Sequence, residues 1–86
     1  MDKVVSKLRR ILQSNFKGCK VKLKRLTDSD RFYGDLVWKG FENKDHVDRQ
    51  ELLRDVLEAE LTPEERQKVS MIFTYTPAET LVEEQV

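Results

Sequence analysis

The sequence predicts one small α+β domain, with three strands and helices on one face of the sheet. Apolar residues follow a helical spacing, then alternate along two segments, then return to a helical spacing before a last alternating segment. Two threonines are each followed by proline and, three residues after the threonine, by glutamate, which is typical of helix starts. Eighty-six residues cannot cover both faces of a three-stranded sheet, so the predicted order is αββααβ in a single domain over residues 1–86.

The beginning of the chain predicts a helix and then an edge strand. Residues 2–15 place five apolar residues on one helical face: Val4, Val5, Leu8, Ile11 and Leu12. The segment 19–24 alternates with period two, which predicts a half-buried strand with Lys20, Lys22 and Lys24 on its outer face. A row of lysines is typical of an edge strand, because it discourages pairing with another sheet.

The middle of the chain predicts a second strand over residues 31–38 and a long helix over residues 45–60. In the strand, Phe32, Leu36 and Trp38 share one face, and we expect Phe41 to anchor the chain in the core after the turn. The apolar face predicted for the helix consists of Val47, Leu52, Leu53, Val56 and Leu57.

The last third of the chain contains the clearest local signals. Thr62 followed by Pro63 and Glu65 predicts a capping box and a short helix that ends near Lys68. The segment 69–75 alternates as a strand, with Val69, Met71, Phe73 and Tyr75 expected on one face. Residues 76–79 repeat the capping pattern, which predicts a final short helix, and residues 80–86 are expected to fray.

Composition excludes several classes of protein. The chain is 38% hydrophobic and 37% charged, as expected for a globular domain, and no apolar run approaches the roughly 20 residues needed to cross a membrane. The single cysteine, Cys19, cannot form an internal disulfide. We therefore expect a cytoplasmic protein without a membrane association.

Charge is divided unequally along the chain. Residues 1–26 contain nine lysines and arginines against one acid, whereas the remainder contains seven against fifteen. Such asymmetry can mark a surface for a polyanion, and the candidate residues are Arg9, Arg10, Lys20, Lys22 and Lys24. The alternative is that the basic and acidic segments lie side by side and neutralise each other.

Few residues are suited to catalysis or metal binding. Cys19 and His46 are the only soft metal ligands, and each is single, whereas a metal site needs three or four such groups. No set of acid, base and nucleophile can be assembled around them. We expect Cys19 to be a small core residue and predict neither an enzyme nor a metal site.

The run from Phe32 to Thr76 resembles the BolA family without a gap. The matching positions are Phe32, Leu36, Val37, Phe41, Arg49, Leu57, Glu60, Leu61, Thr74, Tyr75 and Thr76, followed by Glu79. The resemblance implies the αββααβ fold that the family shares with type II KH domains. It also implies a regulatory or adaptor role, with a glutaredoxin-like protein as the partner.

The histidines of the family are missing. Its Ser-His pair falls on Asp30-Arg31, its Arg-His pair on Arg49-Gln50, and its cluster-binding histidine on Lys68. The loop at residues 27–30, which supplies a second cluster ligand in many members, holds neither cysteine nor histidine. Since lysine and arginine are poor ligands for iron, we expect no iron–sulfur cluster and no other cofactor. A type II KH domain binds nucleic acid through a Gly-x-x-Gly loop, and this chain has none.

The sequence thus predicts a non-enzymatic adaptor that binds a protein partner around Phe41, Arg49 and Lys68. Its oligomeric state is left open. The competing hypothesis is a nucleic-acid-binding transcriptional regulator that uses the basic first helix and strand.

The acids around Arg49 would repel a polyanion. These acids are Asp45, Asp48 and Glu51, and we expect Arg49 to form a salt bridge with one of them.

Overall fold

A computed structural model describes residues 3–27 and 29–84, with side chains up to residue 80. The elements follow the predicted order, including the final short helix: α1 (Lys3–Asn15), β1 (Lys20–Arg25), β2 (Phe32–Val37), α2 (His46–Glu60), α3 (Pro63–Gln67), β3 (Val69–Tyr75) and α4 (Pro77–Glu84). A single 3-10 turn, Lys39–Phe41, follows β2. Asp2, the first residue of the predicted helix, lies outside the described residues. Residues 80–86 are predicted to fray. Of these, residues 80–84 belong to α4, and residues 85 and 86 lie outside the described residues.

The three strands form one mixed sheet in the order β1-β2-β3. β1 pairs with β2 in antiparallel orientation, and β2 pairs with β3 in parallel orientation. β1 and β3 are therefore both edge strands, as predicted for the lysine-rich β1. The α+β class with a three-stranded sheet is confirmed.

Strand register divides the sheet into two faces. The face towards the helices carries Val21 opposite Leu36 and Thr74, and Leu23 opposite Gly34 and Ile72. We call the other side the open face, and it consists of three rows across the strands: Lys24, Tyr33 and Met71; Lys22, Asp35 and Phe73; Lys20, Val37 and Tyr75. Leu8, Ile11 and Leu12 of α1 and Leu53 of α2 join Leu36 and Ile72 in one core, so these two helices cover only the first face.

An irregularity near the start of β3 changes the predicted alternation. Phe32 pairs with Val69, but Tyr33 pairs with Met71, so Ser70 is an additional residue. Val69 consequently packs against the core, while Met71 and Phe73 are 42% and 44% exposed. The prediction that Val69 shares a face with Met71 and Phe73 was wrong, because sequence alternation assumes an unbroken pairing.

Three aromatic rings close the core at the end of α1. Phe16, Trp38 and Phe41 contact one another with ring centroids 5.0 to 5.8 Å apart, and Trp38 Nε1 donates to the Lys17 carbonyl oxygen at 3.0 Å. Phe41 is completely buried, as predicted. Phe16 is equally central, although its position after the helical pattern gave no signal for burial.

The predicted caps are present. Thr62 accepts from the Glu65 N–H while the Glu65 carboxylate accepts from the Thr62 N–H, which forms the complete capping box. Thr76 and Glu79 make the equivalent pair of hydrogen bonds before α4. No helix in the described part of the chain has the length and apolar character needed to cross a membrane.

Helix α2 buries a narrower face than its sequence predicts. Asp45 caps it by accepting from the Asp48 N–H at 2.9 Å, and Leu53 is buried. Val47, however, is 66% exposed, so its inclusion in the apolar face was wrong. Six residues separate Val47 from Leu53, which places Val47 about 240° around the helix.

We predict that Leu53→Ala and Val47→Ala have very different effects on stability. Leu53→Ala leaves a cavity in the core and should lower the free energy of unfolding by about 2–5 kcal/mol. Val47→Ala removes only exposed atoms from the same helix and should change it by less than about 0.5 kcal/mol. Urea unfolding followed by circular dichroism measures both, and equal effects would contradict the burial described.

Candidate functional site

The predicted partner site contains two residues that the fold buries. Phe41 is completely buried and Arg49 is only 6% exposed, and the Arg49 guanidinium carbon lies 5.9 Å from the centre of the Phe41 ring. Lys68 is half-buried at the end of α3, where its carbonyl oxygen accepts from the Phe32 N–H at 2.7 Å. Only Lys68 offers side-chain surface to a partner, and the partner-binding role of all three residues stays a prediction.

Arg49 connects three elements from inside the protein. Its Nε donates to the Lys44 carbonyl oxygen at 2.9 Å, and its Nη1 donates to Glu79 Oε1 at 2.9 Å and to the Thr74 carbonyl oxygen at 3.5 Å. The loop before α2, the end of β3 and the start of α4 therefore share one buried guanidinium. The expected salt bridge to Asp45, Asp48 or Glu51 was wrong, because the side chain points inwards to Glu79 on α4.

Hydrogen bonding favours the charged form of Glu79. Its Oε1 accepts from the Thr76 N–H at 2.6 Å as well as from Arg49. The Thr76 N–H, followed by the Arg49 guanidinium, lowers the pKa of Glu79 below its usual range. Folding is thereby linked to ionisation of this carboxyl group.

The resemblance places the cluster ligands of the BolA family on the loop at residues 27–30 and on Lys68. Arg31 Nε donates to the Gln67 carbonyl oxygen at 3.2 Å, which joins the β1–β2 loop to the segment before Lys68. The loop at residues 27–30 holds neither cysteine nor histidine, and Lys68 is not a suitable iron ligand. Residues 3–27 and 29–84 also contain no cluster of three or more Cys, His, Asp or Glu side chains that could hold a metal. These residues do not fit a cluster.

The third missing histidine falls on Gln50, which has a structural contact. Gln50 Nε2 donates to the Ile72 carbonyl oxygen at 3.0 Å and so joins α2 to β3. The Gln50 side-chain amide therefore acts here as a hydrogen-bond donor between two elements of the fold.

Cys19 and His46 lie on separate parts of the fold. Cys19 Sγ donates to the Leu12 carbonyl oxygen at 3.6 Å, and burial raises the pKa of the thiol. A thiol in this setting is mainly protonated at neutral pH and is a weak nucleophile. His46 is exposed at the start of α2.

A groove that the sequence did not indicate runs between α2 and β3. It has a volume of about 300 Å³, and we call it the α2–β3 groove. Leu53, Leu57 and Val69 contribute apolar surface to its lining, and Arg54, Glu58 and Arg66 contribute charged groups. Because α2, α3 and β3 all contribute to it, no single stretch of sequence could reveal it.

The basic residues of the nucleic-acid hypothesis occupy two places. Lys20, Lys22 and Lys24 are exposed on the open face, while Arg9 Nη1 donates to the Val21 carbonyl oxygen at 3.1 Å beside β1. Arg10 is exposed on α1.

Mutual neutralisation of the basic and acidic segments occurs locally. Lys7 pairs with Glu65 at 2.8 Å, and this contact, followed by the Thr62 N–H, lowers the pKa of Glu65. Within the described part of the chain, the three lysines of β1 form no ion pair.

We predict that Glu79→Gln destabilises the protein in a pH-dependent way. The folded state binds the Glu79 carboxylate more favourably than the unfolded state does, so this stabilisation is present above the ordinary glutamate pKa near 4.3 and disappears as the pH falls through the lowered folded value. The stability difference between wild type and Glu79→Gln should be largest near neutral pH and shrink towards about pH 3. Urea unfolding at several pH values measures it.

Glu51→Gln is the control, since Glu51 is exposed on α2 and has no ion pair within the described residues. A difference for Glu79→Gln that is independent of pH, or that matches the control, would contradict the proposed ionic contribution.

Comparison with known proteins identifies the architecture. No known family profile matches the chain, and no curated protein sequence matches it. Among solved structures, BolA1 from Arabidopsis thaliana shares 23% identity and a TM-score of 0.71, over 92% of this chain and 98% of that one. The BolA domain of SufE1 from Arabidopsis thaliana shares 20% identity and a TM-score of 0.71, over the same fractions.

A bol-like protein from Babesia bovis shares 22% identity and a TM-score of 0.67, over 92% of this chain and 91% of that one. Each of the three likenesses covers most of both chains, so the whole arrangement of helices and sheet is shared and not only a part of it. The chain has the BolA fold.

Proposed function

We propose that this chain is a divergent BolA-like protein that acts as a non-enzymatic adaptor and binds a protein partner in the α2–β3 groove. The observation that carries the proposal is a concave surface with both apolar and charged lining residues. An apolar centre surrounded by polar groups is the usual arrangement of a protein–protein interface.

The charges of the groove suggest the chemistry of the partner segment. Arg66 Nη1 is already bonded to the Glu58 and Leu61 carbonyl oxygens, at 3.3 and 2.9 Å. Arg54 is exposed at the groove together with one acid, Glu58, and Lys68 directly precedes Val69 of the lining along the chain. A segment with an apolar side chain for the groove and a carboxylate for these cations would match it.

The size of the groove also favours a protein over a small molecule. A volume of about 300 Å³ is at the lower limit of ordinary ligand pockets. It can take one or two side chains of a partner. The BolA domain of SufE1 is named as a domain of another protein, and an adaptor role is consistent with a module of that kind.

Resemblance to the BolA family makes a glutaredoxin-like protein the leading partner. With Lys68 in place of the cluster-binding histidine, and no cysteine or histidine in the loop at residues 27–30, such a complex would depend on direct protein contact. The non-enzymatic character of the proposal rests on Cys19, which directly precedes β1, and His46, which begins α2, because they do not form a common site.

We predict that Arg54→Glu and Lys68→Glu weaken partner binding. Each reverses a cation at the groove and would place two like charges opposite each other in the complex, so affinity should fall at least about 10-fold. Affinity purification from the native organism identifies the partner, and isothermal titration calorimetry with the purified partner gives the dissociation constants. Lys3→Glu, an equal charge reversal at an exposed position of α1, should change the affinity less than about 2-fold.

Two results would contradict the adaptor proposal. One is failure to recover a defined partner in purifications that use the wild-type chain. The other is a purified partner whose affinity is equal for Arg54→Glu, Lys68→Glu and Lys3→Glu, which would place the interface elsewhere.

We also predict that the chain forms no shared iron–sulfur cluster. Anaerobic reconstitution with iron, sulfide and a monothiol glutaredoxin should give only the visible absorbance of the glutaredoxin alone, because neither Lys68 nor the loop at residues 27–30 offers a thiolate or imidazole ligand. A BolA protein that retains the histidines is the positive control. A new absorbance band that needs this chain would overturn the prediction.

A further inference from the structure

We propose that the open face of the sheet binds single-stranded nucleic acid. Bases would stack on the aromatic side chains of β2 and β3, and phosphates would contact the lysines of β1. The proposal does not rest on the adaptor function, because its aromatic and basic residues lie on the face of the sheet opposite the helix-covered core.

Exposed apolar side chains are concentrated on this face. Among the described residues, the exposed large hydrophobic side chains are Val47, Met71 and Phe73, and two of these three belong to the open face. Tyr33 lies opposite Met71, and Tyr75 is two residues after Phe73 on the same face, both half-buried. The ring faces of such residues are stacking surfaces for bases of any sequence.

Positive charge lies directly beside these rings. Lys24, Lys22 and Lys20 stand opposite Tyr33, Asp35 and Val37, so each row of the open face ends in a lysine. All three lysines are exposed and have no ion pair within the described part of the chain. Arg9 lies along the same edge through its hydrogen bond to the Val21 carbonyl oxygen.

The arrangement of strands separates the two kinds of contact by a suitable distance. Neighbouring strands are about 4.8 Å apart, so the lysines of β1 are roughly 10 Å from the rings of β3. A nucleotide spans from its base to its phosphate over a similar distance. A base on Phe73 would therefore place its phosphate near Lys22.

Asp35 gives the bound strand an orientation. It lies between Lys22 and Phe73 in the central row, where its carboxylate would repel a phosphate. The backbone is thus directed to the outer lysines, and the carboxylate is left beside the bases. A carboxylate can accept hydrogen bonds from base amino groups, such as that of cytosine.

A second copy of the chain is a poorer occupant of this face. Two open faces in contact would bury three lysines of each copy against one Asp35 each, and unpaired buried cations are costly. Lysines on an edge strand also oppose pairing between sheets. A flexible polyanion satisfies the same lysines without this cost.

We predict that fluorescence anisotropy detects binding of a labelled oligonucleotide of about 12 bases to the full chain at about 50 mM salt. The duplex of the same length should bind more weakly, because its bases cannot stack on the sheet. The logarithm of the binding constant should fall with the logarithm of salt concentration with a slope of about −2, since each of three single-strand phosphate contacts contributes roughly −0.7.

Matched variants separate the lysines from general charge. Lys22→Gln combined with Lys24→Gln should reduce the magnitude of the slope by about 1.4. Lys3→Gln combined with Lys39→Gln removes the same charge from exposed positions on α1 and on the 3-10 turn and should leave the slope unchanged. Equal loss in both double variants would overturn the proposed site.

A second pair of variants tests stacking. Phe73→Leu keeps an apolar side chain but removes the ring and should weaken binding on the order of 10-fold, while Val47→Ala on α2 should have no effect. Circular dichroism checks that both remain folded.

The wild-type chain gives a test without substitution. In two-dimensional NMR spectra, added oligonucleotide should shift the resonances of Tyr33, Met71 and Phe73 and leave those of α2 in place. Absence of binding at low salt, shifts confined to the helices, or self-association through this face without oligonucleotide binding would each overturn the proposal. None of these results affects the groove test.

Discussion

The pairing of β2 with its two neighbours determines which side chains the protein buries and which it presents. β2 is the central strand, so Leu36 faces the helices while Tyr33, Asp35 and Val37 face outwards. The irregular pairing at Ser70 then sets the phase of β3. A shift of one residue would exchange Ile72 for Phe73 in the core, because side chains alternate with a period of two. Both candidate surfaces depend on this register.

Buried polar groups hold the rest of the chain against the sheet. Arg49 is almost wholly removed from water, and such a cation is tolerated only where its N–H groups find acceptors. It has them in the Lys44 and Thr74 carbonyl oxygens and in Glu79, while Gln50 donates to β3 one residue further along α2. Arg49 and Gln50 are thus neighbours along α2 that both have structural hydrogen bonds to β3.

Local signals in the sequence predicted much of the fold. The capping residues Thr62 and Thr76 and the alternation in β1 depend on neighbours along the chain, and their predictions were confirmed. Phe16, the Arg49–Glu79 pair and the exposure of Val47 depend on residues far apart in sequence. The α2–β3 groove was missed for the same reason, whereas the lysine row was recognised but not the aromatic residues beside it.

The two proposed surfaces meet at β3. Met71 belongs to the open face and also lines the α2–β3 groove. Its side chain is flexible and can adapt to different neighbours. A protein segment in the groove and a nucleic-acid strand on the sheet would therefore share a residue, and any influence of one on the affinity of the other must be equal in both directions. The chain thus presents two candidate surfaces on either side of a single edge strand.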